Sequence, residues 1–113
     1  MSAGLQIFSL SIVHLAKRLY NTLMNDGVFR ALADPTRRRI LELLKVRPMA
    51  MGEIAEHFPS SQPTISRHLS VLKNAALVYD ERQGQYIIYH LNATVMQSWL
   101  KWLLERWGGN DFE

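Results

Sequence analysis

The residues whose types and spacing point most directly to chemistry are Gln62, Pro63, Thr64, Ser66, Arg67 and Ser70, which follow a good N-cap residue, Ser61. Ile65, Leu69, Leu72 and Ala76 recur between them at helical spacing, so this stretch is expected to be an amphipathic helix. At about 100° per residue the apolar four fall in one arc, leaving Pro63, Arg67, Ser70 and Asn74 opposite and Thr64 and Ser66 on the flanks. Residues 61–76 contain no carboxylate, whereas an ordinary solvated face would carry Glu and Lys. Hydroxyls, amides and cations suit base edges and the phosphates beside them. A helix N-terminus adds donors and partial positive charge, which a major-groove reader needs.

Other chemistries find little support. There is no cluster of Ser, His and acid, no paired carboxylates in one loop and no Gly-rich phosphate loop, so an enzyme is not expected. The chain has no cysteine, which excludes disulfides and thiolate metal sites and suits a reducing cytoplasm. His14, His57, His68 and His90 stand singly on different elements, so neither a metal site nor a cofactor is expected. A length of 113 residues allows one compact domain, and a net charge of +3 permits nucleic-acid binding without demanding it. Residues 1–23 lack a cation among the first six and are interrupted by Ser9, Ser11 and His14, with Lys17 and Arg18 following. They match neither a signal peptide nor a membrane span, so no membrane insertion is expected.

The elements that must position the polar helix can be read in order. In residues 1–24, Leu5, Phe8, Ile12, Leu15 and Leu19 keep helical spacing. This segment is expected to pack on the body or across a dimer, or to be a dispensable extension before an alternative start at Met24; a membrane-surface role has only two cations to support it. After a break at Asn25, Asp26 and Gly27, residues 25–107 form the main domain. It begins with a short helix over 28–33 and continues with a second capped by Asp34, started by Pro35 and running to Lys45 over Ile40, Leu41 and Leu44. Arg37, Arg38 and Arg39 in its first turns oppose the helix dipole unless phosphate or a nearby Asp neutralises them. Arg47 and Pro48 turn the chain into a third helix, residues 51–58, with Ile54, Ala55 and Phe58 inward. With the helix after Ser61 it makes a helix-turn-helix.

After Ala76 the period becomes two. Residues 77–81 and 85–91 should form a β-hairpin turned at Arg82, Gln83 and Gly84, with Arg82, Gln83 and Gln85 at its tip. Such a wing could enter the minor groove, or it could simply cover the core. Asn92 or Thr94 caps a last helix over 95–107, and residues 108–113 form a tail. Its Val95, Trp99, Trp102, Leu103 and Trp107 give more apolar face than a small domain can cover. They are expected to form a dimer interface with the N-terminal helix, the alternative being an aromatic cofactor box. The fold class expected is mainly α with a β-hairpin wing: a dimeric winged helix-turn-helix.

With these elements in place, residues 28–104 resemble the arsenical-resistance-repressor family of bacterial winged-helix regulators. The resemblance lies in Ala33-Asp34-Pro35-Thr36-Arg37-Arg38-Arg39-Ile40-Leu41-Glu42-Leu43-Leu44, Glu53-Ile54-Ala55, the run from Ser61 to Leu72, and Gly84 to Leu91. It implies a homodimer that occupies a DNA operator, often its own, and represses transcription. Gln62, Thr64, Ser66 and Arg67 would meet base edges, Ser61 and Arg37 to Arg39 phosphates, and Arg82, Gln83 and Gln85 the minor groove. Metal-sensing members use cysteines before the recognition helix or Asp and His on the last helix. The region of Ala50, Met51 and Gly52 has no cysteine here, and residues 95–107 have neither Asp nor His. The chain therefore resembles the metal-independent branch, some of whose members are sequestered by a membrane partner. A protein anti-repressor joins DNA and a second copy as an expected partner. The competing expectation is a winged-helix interaction module that binds a protein through its Trp-rich face.

Overall fold

Local signals start most of the helices. Asp34, in extended conformation, accepts a hydrogen bond from the Arg37 amide at 3.1 Å, and Pro35 follows at the first helical position, where no intrahelical N–H is needed. The structure, a computed structural model, describes residues 11–16 and 26–109. In chain order, α1 is Asp26–Leu32, α2 Pro35–Val46, β1 Met49–Ala50, α3 Met51–Ala55, α4 Gln62–Asn74, β2 Val78–Gln83, β3 Tyr86–Leu91 and α5 Ala93–Trp107. The strands form an antiparallel sheet in the order β1-β3-β2, with Met49 opposite Tyr89 and Val78 opposite Leu91. This is the mainly helical, winged helix-turn-helix architecture expected.

One core joins these elements. Val28 and Ala31 of α1, Ile40, Leu41, Leu43 and Leu44 of α2, Ile54 of α3, Ile65, Leu69 and Leu72 of α4, and Leu77, Val78 and Tyr89 around the sheet are all buried. Glu53 in the first turn of α3 accepts from the Ala50 amide at 3.1 Å and pairs with Arg47 at 2.8 Å, which fixes the connection through β1.

Several boundaries differ from expectation. Helix α1 starts at Asp26, so Gly27 lies in its first turn and not in a break. A two-residue strand follows Pro48, and α3 ends at Ala55, with only Ile54 of its inward residues fully buried. Ala76 is not on the stripe of α4. It sits past the helix end at φ 60°, where its amide bonds the Lys73 carbonyl and the Leu77 amide reaches back to Leu72. This is a Schellman closure with alanine in the left-handed position usually given to glycine. Its gain is that Leu77 is buried. The hairpin turn is Gly84-Gln85, since Gln83 pairs with Tyr86. Gly84 has φ 63° and Gln85 is not left-handed, the φ pattern of a type II′ turn. Asn92, not Thr94, caps α5, its Oδ1 accepting from the Val95 amide at 3.4 Å.

Candidate nucleic-acid interface

Helix α4 is seated by Ile65, Leu69 and Leu72, each with no solvent exposure. That seat turns Gln62, Pro63, Arg67 and Ser70 into solvent and leaves Thr64 and Ser66 half-buried on the flanks. Ser61 caps the helix, and its Oγ lies 3.0 Å from Thr64 Oγ1. Arg67 makes no hydrogen bond or ion pair with any described residue, so its guanidinium is free to meet a ligand. At the other end of α4, Lys73 Nζ lies 3.0 and 3.1 Å from the two carboxylate oxygens of Asp80, tying the helix to β2 of the wing.

The wing projects its tip into solvent. Arg82 and Gln83 close β2, and Gln85 lies in the turn, all three exposed. Arg82 Nε donates to the Gly84 carbonyl at 3.3 Å and Gln83 Nε2 to Glu81 at 3.4 Å, so the tip is partly self-bonded. At its base, Tyr79 stacks on His90 with centroids 4.8 Å apart, a contact between cross-strand partners that the alternating pattern did not reveal.

The three arginines of α2 have separate engagements. Arg39 pairs with Glu42 at 3.0 Å on the surface, and Arg38 Nη1 donates to the Leu32 carbonyl at 2.8 Å. Arg37 is drawn inward, its guanidinium on the Ala31 and Arg30 carbonyls and on His68 of α4. Asp34 lies beside it. Partial burial would raise the Asp34 carboxyl, but the Arg37 amide, the His68 and Arg37 side chains and the Thr36 amide together hold it below its ordinary 3.8.

Helix α5 has no buried residue. Val95, Met96 and Trp99 lie half-buried against the core, Trp102 and Leu103 are half-buried, and Leu100, Leu104 and Trp107 are 50%, 56% and 61% exposed. Phe29 of α1, which the sequence reading passed over, meets Trp99 and Trp102 edge-on at 5.8 and 6.2 Å. Leu104 was also missed, although it follows Leu100 by one helical turn. Residues 11–16 are helical and exposed throughout, Ile12 and Leu15 included, while Leu5, Phe8 and Leu19 lie outside the described residues. No helix of the described residues is long and apolar enough to cross a membrane, and no group of three metal-binding side chains occurs among them.

Comparison with known proteins settles what kind of molecule carries this geometry. The model of the arsR family of bacterial regulatory proteins matches residues 34–80, from the cap of α2 through the helix-turn-helix into the wing. A transcriptional repressor, SdpR of Bacillus subtilis, is 53% identical over 79 residues, which are 70% of this chain and 88% of that one. The chain belongs to the arsR family. This ArsR-family protein is a transcriptional repressor with a DNA-binding helix-turn-helix, not an enzyme. Its fold matches solved members. An ArsR-like regulator from Rhodococcus superposes with a TM-score of 0.65 at 32% identity, covering 73% of this chain and 76% of the other. The homodimeric winged helix-turn-helix DNA-binding domain of a Mycobacterium bovis protein gives 0.59 at 28%, covering 71% and 76%.

Proposed function

We propose that this repressor binds a near-palindromic operator as a homodimer, that the operator lies upstream of its own gene, and that release requires no metal. The observation that carries the DNA assignment is Arg67, a cation without a described partner on the exposed, carboxylate-free face of α4. Gln62, Thr64, Ser66 and Arg67 read base edges, Pro63 and Ser70 shape the same face, and Ser61, Arg38 and Arg39 approach phosphates. Arg82, Gln83 and Gln85 reach the minor groove. Residues 25–107 make up the functional domain, with α5 as its dimerisation helix.

Dimerisation is supported by the apolar side chains that α5 leaves in solvent and by the homodimeric Mycobacterium relative. One recognition helix reads only a few base pairs. A second copy held about 34 Å away, one turn of DNA, supplies the remaining specificity and makes the operator symmetric. Metal independence is supported by the absence of cysteine and the dispersal of the histidines.

The test is footprinting on DNA upstream of the coding sequence, with Arg67→Ala alongside. A symmetric protected site is expected, and the variant should lose on the order of 1 to 3 kcal/mol of discrimination over random DNA. Equal loss on both DNAs assigns Arg67 to a phosphate, and protection that disappears with stoichiometric zinc overturns the metal-independent part.

A further inference from the structure

Among the described residues, the first half of α4 has one polar tie to the body of the protein. Its apolar seat, Ile65, Leu69 and Leu72, fixes depth but is non-directional, and the Ser61 and Thr64 hydrogen bonds are local to the helix start. Lys73 with Asp80 holds only the far end. Among the described residues, the remaining polar connection runs through His68 to Arg37 and Asp34.

All three guanidinium nitrogens of Arg37 are engaged in that connection. Its Nε donates to the Ala31 carbonyl at 2.7 Å and its Nη2 to the Arg30 carbonyl at 2.9 Å, satisfying two carbonyls in the last turn of α1. Its Nη1 lies 3.2 Å from His68 Nδ1. A guanidinium has five N–H donors and no acceptor, so in this contact Nδ1 is placed to accept. The Asp34 carboxylate, 3.8 Å from Nδ1, is too far for a hydrogen bond and holds Arg37 through its backbone amide at 3.1 Å. One side chain thereby joins the end of α1 and the start of α2 to the middle of α4.

We infer that Arg37 is a positioning residue for operator reading, whose fork through His68 sets the angle of α4 on the body, and that it is not a phosphate contact. This rests on the assignment of α4 as the DNA-reading helix. A swing of about 10° around His68 moves Gln62, roughly 9 Å along the axis, by about 1.5 Å, enough to break base-edge hydrogen bonds. Such a swing scarcely changes the attraction of the whole surface for phosphates, so the strut bears on specificity and little on non-specific affinity.

The experiment titrates the full-length protein against operator and random duplexes over a range of salt, with thermal melting of every variant. Arg37→Met and His68→Leu remove the donor fork and the acceptor. His68→Asn places an amide oxygen close to the position of Nδ1. Arg37→Met and His68→Leu are each expected to weaken operator binding about tenfold while leaving random-DNA affinity and its salt slope unchanged, and His68→Asn to recover to within about twofold of the parent. If Arg37→Met instead weakens both DNAs alike and lowers the salt slope by about one, Arg37 is a phosphate contact and the inference fails. Should Arg37→Met not fold, the His68 pair still decides: equal loss in Asn and Leu variants removes the acceptor from any role. Arg67→Ala separates the two ideas. Its silence overturns the DNA-reading assignment of α4, whereas its loss of discrimination beside silent Arg37 and His68 variants overturns the strut alone.

Discussion

Helices α4 and α5 are both amphipathic, 13 and 15 residues long, yet the body of the protein treats them differently. The first sinks Ile65, Leu69 and Leu72 completely and leaves no large apolar side chain exposed, so a single protomer finishes its packing. The second sinks nothing completely and shows solvent Leu100, Leu104 and Trp107. What each helix leaves outside is what the proposed function assigns to a partner: hydrogen-bonding edges and anions to α4, another apolar surface to α5.

The contrast can be broken most forcefully at α5. Leu100→Glu with Leu104→Glu should give a folded monomer, because neither side chain is in the core, and should cost the full operator on the order of 10² to 10⁴ in affinity through lost bivalency. Sedimentation beside gel-shift titration checks this, and a monomer that binds as tightly as the parent ends the role of α5. A matched pair sharpens the comparison. Leu69→Ala should lower stability by about 2 to 5 kcal/mol in denaturant unfolding under dilute conditions, whereas Leu104→Ala under the same conditions should change it by less than about 0.5 kcal/mol. Comparable losses would mean that α5 is already finished within the protomer.

Smaller effects test the ends of the reading helix. Ala76→Gly relieves a left-handed alanine and should stabilise the protein by about 1 kcal/mol without altering DNA affinity. Asp34→Asn keeps an N-cap acceptor but removes the charge beside Arg37 and His68. Because the folded-state carboxyl is held below 3.8, its contribution is present above that value and is lost as pH falls through the folded value. The variant should therefore be slightly less stable than the parent at neutral pH, with the gap closing below pH 3.8; a gap that persists in acid points to the cap and away from the charge.

What could be read in the sequence was what the chain decides locally. Ser61 and Asp34 as caps, Pro35 and Pro63 in first turns and the apolar stripe of α4 all act within one turn of helix, and the polar face followed directly from them. Ala76 was misread because alanine continues any helical period, while the helix end was decided by the burial of Leu77. Strand β1 is two residues long, too short to show alternation. The engagement of Arg37 was hidden for a different reason. Its acceptors lie six, seven and 31 residues away, so three adjacent arginines looked equivalent although the fold gives each a separate partner. Phe29 was overlooked because its aromatic partners come from the far end of the chain.

The strand order leaves β1 and β2 as the sheet's two margins. A margin with free amides and carbonyls invites another chain to extend it, the first step toward fibrous aggregates. Here one margin offers only two residues, and the other carries Asp80, Glu81 and Arg82 in succession. Neither makes a good template. The apolar surface left in water is thus confined to helices, and the strands give runaway polymerisation nowhere to begin.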